Sequence, residues 1–230
     1  MDSASVRKLV PKSVKRPIKS FLLRRQLRRA IEKIRRLPKD VVPSRELMSE
    51  LIAGWGNEGY AANLDYLEEV AKRAVSAAGP VLECGSGATT ILLGVLCAKR
   101  EIEVWSLEHS PEWQARIVEL LERSGISGSG VCSAPLVEYG EFDWYDPPLA
   151  KLPKNFALVI CDGPPGSTKG GRYGLLPVMN DRLGSGSYVL VDDAGRPAEA
   201  EMIERWEREF QFETETFNAQ GGKFAVMRRR

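Results

Sequence analysis

A short turn containing two glycines is the strongest chemical signal in this sequence. Residues 81–90 read VLECGSGATT, an apolar run that passes through the turn into a predicted helix. Gly85 and Gly87 allow backbone torsions and close ligand approach that a Cβ would block, and the helix offers free N–H groups to a polar ligand. A dinucleotide site needs a third glycine where Thr90 stands, and Glu83 would repel a pyrophosphate. The turn therefore favours a ligand with an amino group and positive charge; a tight turn without a ligand is the alternative.

Glu108 strengthens this prediction. It ends the next predicted strand, at the position where an acid in nucleotide-binding sheets accepts hydrogen bonds from ribose hydroxyls. An acid that caps the helix beginning at Pro111 is the alternative. We expect Glu83 and Glu108 to lie at adjacent strand ends.

Three further acids follow later apolar runs, namely Asp162 and the pair Asp192-Asp193. The carboxyl ends of parallel strands share one edge of a sheet, so these acids should meet there. Gathered carboxylates repel each other unless a positive charge lies among them, and oxygen ligands suit Mg²⁺ or another hard cation. All three acids are therefore candidate metal ligands. The alternative is that one binds a ligand while the others cap helices or pair with Arg172 and Arg196.

Few residues in this sequence can act as a general base or orient a substrate that accepts a transferred group. His109 is the only histidine, which excludes a zinc site built on several histidines. Without a metal, Asp162 or His109 would have to take the acceptor's proton, and hydrogen bonding near a ligand is the alternative role for His109. The glycine-rich loop 163–172 carries Lys169 and Arg172, whose charges suit an acidic acceptor, although Lys169 fits a solvated loop charge equally well. Asp162, His109 and Arg172 are the candidate catalytic residues.

The elements that position these residues alternate between strands and helices. This alternation favours a Rossmann-like α/β fold, a doubly wound and mostly parallel seven-stranded sheet with helices on both faces. The last two strands predict a C-terminal antiparallel hairpin. Residues 144–146 fall in a predicted irregular stretch, where an aromatic pair could stack on a sugar or simply pack. The predicted strands are 81–84, 102–107, 130–134, 156–161, 188–191, 210–217 and 223–227, and the helices among them are 89–99, 111–123, 173–183 and 198–209.

The chain has 230 residues, and its net charge of +2 conceals a cationic arm on an acidic body. Residues 1–40 hold 14 Lys and Arg against three acids, whereas residues 41–230 hold 19 basic and 28 acidic residues. We predict a basic amphipathic helical extension over 1–40, a helical lead-in over 41–79 with helices near 44–53 and 60–78, and a Rossmann-like core over 80–230. The extension helix, 17–37, places one set of apolar residues on a single face: Leu23, Leu27, Ala30, Ile34 and Leu37, widened by Ile18, Phe21, Leu22 and Ile31.

A basic amphipathic helix has three interpretations. It can lie on an anionic membrane surface, pack its apolar face on the body or on another subunit of a homo-oligomer, or bind nucleic acid. We prefer the membrane surface, and nucleic acid is the least favoured partner.

No apolar run approaches the roughly 20 residues that span a bilayer, and the N-terminus lacks a signal-peptide pattern. The four separated cysteines suit reduced thiols. We therefore expect a cytoplasmic protein, peripheral on the inner face of a membrane.

From about Trp55 to Met227 the sequence resembles the class I S-adenosylmethionine-dependent methyltransferases. The resemblance rests on LECGSGATT, SLEHSPEW, ALVICDGPPG and YVLVDDAGR in that order. It implies S-adenosylmethionine as cofactor, with its amino-acid part at Glu83 and the glycine turn and its ribose at Glu108. Catechol-type relatives bind a divalent metal through Asp, Asp and Asn, but here Asp193 stands where the Asn would be. The implied cofactor-binding residues are Glu83, Gly85, Ser86, Gly87, Thr89, Glu108, His109, Ser133, Ala134 and Asp162.

The DGPPG and DDAGR motifs resemble a subgroup associated with O-methylation of glycans or small molecules. We therefore expect methylation of a hydroxyl on such an acceptor, assisted by a metal if one is bound. An RNA methyltransferase is one alternative. Base N-methyltransferases carry an acid or amide directly before two prolines and an aromatic, whereas here Gly163 follows Asp162 and Gly166 replaces the aromatic. A non-catalytic membrane- or protein-binding module that retains the fold is the other alternative.

Overall fold

The structure is a computed structural model that describes residues 12–56 and 63–230, with side chains from Ser20 onward. Residues 1–11 of the predicted arm and the predicted helix start near residue 60 lie outside the described residues. Three helices come first: α1 (Lys12–Arg36), α2 (Arg45–Trp55) and α3 (Leu64–Ser76). Helix α1 begins five residues before the predicted start, so the proline at position 17 lies in its second turn and removes one backbone hydrogen bond there.

The apolar face predicted for α1 is only partly correct. Leu27, Ala30 and Ile34 are buried, and α1 packs them against α2 and the helix that follows the glycine turn. Phe21 and Leu22, predicted to widen this face, are instead 65% and 55% exposed. At about 100° per residue they lie on the opposite side of the helix from the buried stripe, so they cannot reach the body.

Helices α1 and α2 approach each other closely at Gly54. A Cβ at this position would lie 2.4 Å from the backbone nitrogen of Leu27, so only glycine permits the contact. The buried residues of α1 belong to the same apolar cluster as α3 and the first strand. From Leu27 onward the predicted extension is therefore packed into the domain core.

A seven-stranded sheet forms the centre of the domain, which confirms the predicted fold class. Its strand order is β3-β2-β1-β6-β7-β9-β8; β9 is antiparallel to both neighbours, and the other pairs are parallel. Apolar clusters cover both faces. The elements are β1 (Val81–Cys84), α4 (Ala88–Ala98), β2 (Val104–Glu108), α5 (Pro111–Arg123), β3 (Ser129–Ser133), β4 (Leu136–Glu138), β5 (Asp143–Tyr145), β6 (Phe156–Cys161), α6 (Leu175–Met179) with a 3₁₀ turn (Asn180–Arg182), β7 (Leu183–Val191), α7 (Pro197–Glu209), β8 (Phe212–Ala219) and β9 (Gly222–Arg229).

Two parts of this architecture differ from the sequence prediction. The helix predicted over 173–183 is shorter, and β7 begins at Leu183 because a shift in its register with β6 lets the chain pair earlier. The stretch around 144–146 is not irregular, since β4 and β5 form a small antiparallel sheet there. Cross-strand pairing buries Trp144 and Tyr145 completely. Among the described residues, no helix is long and apolar enough to cross a membrane.

The direction of chain progression reverses between β1 and β6. From β1 the sheet continues through β2 to β3 on one side, and from β6 it continues through β7 on the other. In open α/β sheets this reversal leaves a crevice at the carboxyl ends of the strands. The glycine turn, Glu108 and the acids that follow β6 and β7 all stand at that edge.

Candidate active site

A cleft of about 770 Å³ lies at this edge. Most of the predicted site residues line it, which places the glycine turn opposite the acidic strand ends. Glu83 lies beneath the turn, and Ser133 and Ala134 lie beyond Glu108 at the end of β3, so these three are outside the lining. The predicted residues that line the cleft are Gly85, Ser86, Gly87, Thr89, Glu108, His109, Asp162, Arg172, Asp192 and Asp193.

The two glycines of the turn serve different purposes. Gly85 has φ of 87°, and a Cβ there would lie 3.3 Å from the backbone of Gly163 in the loop after β6. Gly163 is equally constrained, because its own Cβ would lie 2.4 Å from the hydroxyl of Tyr145. A Cβ on Gly87 would meet nothing within 4 Å. Gly85 and Gly163 therefore let two loops cross, whereas Gly87 leaves room for a ligand beside the start of α4.

Glu83 is fully buried and supports the turn from below. Its Oε2 accepts hydrogen bonds of 2.6 Å from the hydroxyls of Thr90 and Ser106. Thr90 in turn accepts a hydrogen bond from the backbone N–H of Gly87. Desolvation raises the pKa of Glu83 to about 7, although these hydrogen bonds oppose the shift. Within the described residues, Glu83 Oε1 has no hydrogen-bond partner.

Glu108 closes the turn from the other side. Its Oε2 accepts hydrogen bonds from the backbone N–H and the hydroxyl of Ser86 at 3.2 and 2.7 Å, and its Oε1 accepts one from the backbone N–H of Ser110. The prediction that Glu83 and Glu108 lie on adjacent strands is confirmed, since β1 and β2 pair directly. Only Glu108 faces the cleft.

Trp113 is a site residue that the sequence did not indicate. Its indole Nε1 donates a 2.7 Å hydrogen bond to the carbonyl of Ser86, and its ring packs edge-on against Trp55. The guanidinium of Arg116 lies 4.8 Å from the Trp113 ring. Trp113 follows Ser110 on the first turn of α5, so the SLEHSPEW segment supplies both the acid and the indole that hold the glycine turn.

Arg172 occupies the centre of the acidic cluster. It is 3% exposed, and its Nη2 lies 3.2 Å from Asp162 Oδ1 and 3.0 Å from Asp193 Oδ2. Its Nη1 donates a 2.7 Å hydrogen bond to the carbonyl of Asp192. Arg196 pairs with the other oxygen of Asp193 at 2.9 Å. The positive charge that the clustered acids require is therefore supplied by arginine.

Asp162 and Asp192 hold protons more tightly than usual. Desolvation raises the pKa of Asp162 to about 7; Arg172 opposes the shift, and the negative charges of Asp192 and Asp193 add to it. Desolvation also raises the pKa of Asp192, whose Oδ1 accepts a hydrogen bond from the backbone N–H of Asp193. A carboxylate with a pKa near neutrality is suited to proton transfer at neutral pH.

The cluster does not fit a resident divalent ion. Oxygens of Asp162, Asp192 and Asp193 do lie within 4.8 Å of one another, as a shared ligand would need. However, both oxygens of Asp193 are already in ion pairs, and a second cation would stand beside the buried guanidinium of Arg172. Coulomb repulsion between two cations at such a separation is severe in a partly desolvated cleft.

His109 lines the cleft but lies outside the acidic cluster, and Lys169 does not line the cleft. The His109 Nδ1 lies 3.2 Å from Glu108 Oε1, and its ring lies 6.2 Å from that of Tyr145. Lys169 points away from the cleft and donates hydrogen bonds to Glu138 and to the carbonyl of Gly140. Lys169 is therefore not positioned to bind an acidic acceptor.

A second cavity of about 330 Å³ adjoins the cleft and shares Gly166 and Arg172 with it. Its walls combine carboxylates with apolar and aromatic surface, including Glu199, Tyr173 and Met202. Glu199 is 5% exposed. Arg172 lines this cavity and also contacts Asp162. A molecule bound in the cavity would therefore lie next to the acidic cluster.

The strand order, the glycine turn after β1 and the cleft at the reversal between β1 and β6 together define a fold class. It is the fold of the class I methyltransferases, including the reversed last strand that the C-terminal hairpin forms.

Comparisons with known proteins place the chain in this class by structure alone. No protein-family model matches it, and no curated protein matches it in sequence. The S-adenosylhomocysteine-bound methyltransferase PaMTH1 of Podospora anserina matches over 96% of this chain and 98% of its own, with a TM-score of 0.60 and 14% identity. An O-methyltransferase of Bacillus cereus in complex with S-adenosylhomocysteine matches over 83% and 93%, with a TM-score of 0.55 and 12% identity. Precorrin-6y C5,15-methyltransferase of Geobacter metallireducens matches over 74% and 93%, with a TM-score of 0.54 and 12% identity.

Proposed function

We propose that this protein is an S-adenosylmethionine-dependent methyltransferase that acts on a hydroxyl of a glycan or small molecule. The observation that carries the proposal is the pair of hydrogen bonds from Ser86 in the glycine turn to Glu108. They lie at the cleft where the chain direction reverses between β1 and β6, in a chain with the class I methyltransferase fold. Solved structures with this fold include two bound to S-adenosylhomocysteine, which supports the choice of cofactor.

In the proposed complex, the ribose hydroxyls donate to Glu108, because carboxylate oxygens that already accept one or two hydrogen bonds retain free lone pairs. The amino-acid part lies along Gly85–Gly87 and Thr89, where Gly87 leaves open space. The adenine is proposed to extend past Glu108 toward Ser133 and Ala134, which lie at the end of β3 beyond the lining of the cleft. Glu83 acts as a positioning residue, because it reaches the turn only through Thr90.

The proposed chemistry is an in-line displacement with Asp162 as base. Bound S-adenosylmethionine would supply the methyl group, whose carbon–sulfur bond would break as the acceptor oxygen bonds to the carbon, and the Asp162 carboxylate would take the hydroxyl proton. The products are a methyl ether, S-adenosylhomocysteine and protonated Asp162. Arg172 positions the carboxylate through its 3.2 Å contact. His109 lies beside Glu108 and takes the hydrogen-bonding role near the cofactor.

The acceptor is proposed to be neutral and rich in hydroxyls. The cations predicted to bind an acidic acceptor are occupied, since Arg172 pairs with Asp162 and Asp193 and Lys169 with Glu138. The second cavity instead offers the buried carboxylate of Glu199. A carboxylate accepts hydrogen bonds from hydroxyl donors, which suits a sugar or another polyhydroxylated acceptor.

Cofactor binding can be tested before any acceptor is known. We expect S-adenosylhomocysteine to bind the wild-type protein in titration calorimetry, and Glu108→Gln to weaken binding by about 10- to 100-fold, because a charged hydrogen-bond acceptor is lost. Glu122→Gln, which removes an exposed carboxylate on α5, is the matched control and should bind like wild type. Absence of wild-type binding would overturn the methyltransferase proposal in favour of a module that only retains the fold.

Metal removal gives a second test. Because arginine supplies the positive charge of the acidic cluster, we expect chelation with EDTA to leave the rate of S-adenosylhomocysteine formation unchanged, and added Mg²⁺ not to raise the melting temperature. The rate would be measured with the best acceptor from a screen of sugars and phenols. A loss of activity on chelation that Mg²⁺ restores would contradict the metal-free site.

A further inference from the structure

Helix α1 has two faces of opposite character. One face is buried, and it contains Leu27, Ala30, Ile31 and Ile34, all less than 5% exposed. The other face turns away from the body. We call it the basic face, and it consists of Phe21, Leu22, Arg25, Arg28, Arg29, Lys33 and Arg36, which are all exposed.

Most charges on the basic face have no partner in the described part of the chain. Lys33 pairs with Glu50 at 2.6 Å, whereas the residues described include no acid within ion-pair distance of Arg25, Arg28, Arg29 or Arg36. These arginines and Lys33 border one continuous surface, whose single acid, Glu32, pairs with Arg35 outside the basic face. The sequence before the face adds six basic residues and a single acid in residues 1–19, so it carries further net positive charge.

Phe21 and Leu22 distinguish between partners for this face. Phe21 and Leu22 keep more than half of their surface in water, which has a hydrophobic cost that burial would remove. Phosphate contacts from nucleic acid would satisfy the arginines but leave this cost in place. An anionic lipid surface satisfies both, since headgroups attract the arginines while Phe and Leu insert at the boundary of the acyl chains.

We propose that the basic face of α1 docks the protein on an anionic membrane surface. The buried face already packs on the body, so docking leaves the domain core intact and does not require α1 to detach. The arginines attract the lipid headgroups, and Phe21 and Leu22 enter the interface. This proposal is independent of the proposed enzymatic function.

The experiment is flotation and titration of the full-length protein with two kinds of vesicle. We expect binding to mixed phosphatidylcholine–phosphatidylglycerol vesicles that weakens as salt rises, and no binding to pure phosphatidylcholine. The variant Arg25→Gln/Arg28→Gln/Arg29→Gln should bind about 100-fold more weakly, because each basic residue near the surface contributes about a fivefold gain in affinity. Phe21→Ser/Leu22→Ser should bind about tenfold more weakly.

A matched control removes the same charge elsewhere. Lys151→Gln/Lys154→Gln/Arg208→Gln takes three exposed basic residues from the body and should bind vesicles like wild type. Thermal melts should be unchanged in all three variants, because every altered side chain is exposed.

Several outcomes would overturn the proposal. They are absence of wild-type binding to anionic vesicles, equal loss in the body control, and vesicle binding by the Phe21/Leu22 variant equal to that of wild type. Sedimentation that shows a wild-type dimer broken by the arginine variant would assign the basic face to a second copy of the chain. Binding to an RNA or DNA oligonucleotide that depends on the arginines but not on Phe21 and Leu22 would assign it to nucleic acid.

Discussion

Replacing Asp162 with asparagine is expected to lower the rate of methyl transfer by about 10²- to 10⁴-fold, because the proposed base can no longer accept the acceptor's proton. Asparagine keeps the size of the side chain and its contact with Arg172 through the amide oxygen. S-adenosylhomocysteine should therefore still bind, within about tenfold of its wild-type affinity. The measurement is the rate of S-adenosylhomocysteine formation at saturating cofactor, together with calorimetric binding of the product.

The pH dependence of kcat/KM distinguishes a catalytic base at Asp162 from a residue with a structural role only. The pKa of Asp162 is raised to about 7, so the protonated, inactive form dominates below that pH and the carboxylate above it. The rate kcat/KM should therefore rise as pH increases through about 7 and level off at higher pH. Because Asp192 titrates in the same cluster, the apparent pKa belongs to the pair. The Asp162→Asn variant should lose this dependence in its residual activity.

The control for this prediction is Asp146→Asn, which removes an exposed carboxylate at the end of β5. It should keep the wild-type rate and pH profile. A wild-type rate for Asp162→Asn would contradict the assignment of the base. A loss of cofactor binding as large as the loss of rate would instead make Asp162 a cofactor ligand.

Replacing Arg172 with methionine should have the largest effect on stability. The change removes the Arg172 donor from the carboxylates of Asp162 and Asp193 and from the carbonyl of Asp192, and only Asp193 keeps a second arginine, Arg196. Breaking a buried ion pair by removing one partner costs about 3–5 kcal/mol. For a chain of this size, that corresponds to a melting temperature lower by about 10 °C.

The pH dependence of this loss has a definite sign. Without the guanidinium, the folded-state pKa of Asp162 rises further above its unfolded value, so the folded state binds a proton more tightly than the unfolded state does. The lost stability should therefore be greatest at about pH 8, where the Asp162 carboxylate would be charged, and smaller at about pH 5, where it can be protonated. Urea unfolding at the two pH values measures the difference.

Arg196→Met is the matched control, because it removes an arginine that pairs with the same Asp193 from an exposed position. Exposed ion pairs contribute about 0–1 kcal/mol, so this variant should unfold close to wild type at both pH values. Equal losses for Arg172→Met and Arg196→Met would contradict the central position assigned to Arg172.

Much of the fold was predictable from local pattern. The strands β1 and β6 and helix α5 begin and end at the predicted residues, because each is a short apolar run or an amphipathic period bounded by glycine, proline or a polar cap. The small β4–β5 sheet was missed. Each of its strands has three residues, which is too short for an alternating pattern to stand out.

The sequence was sufficient to predict the site residues that stand at the carboxyl ends of strands. Glu108, Asp162 and the pair Asp192-Asp193 meet at one edge because parallel strands bring their carboxyl ends together. The positions of long side chains were not predictable in this way. Trp113 reaches the carbonyl of Ser86, a contact that depends on how α5 packs beside the glycine turn.

Periodicity and residue type are enough to predict the order of strands and helices along the chain, the glycine turn and the acids at the strand ends. The contacts of those acids depend on how distant parts of the chain pack together. Arg172 returns from its loop to the centre of the cluster, and so supplies the positive charge for which the sequence offered either a metal or an arginine. The tertiary structure also decided which side of α1 faces outward, because the helix carries apolar residues on two sides and the packing against α2 at Gly54 buries only one of them.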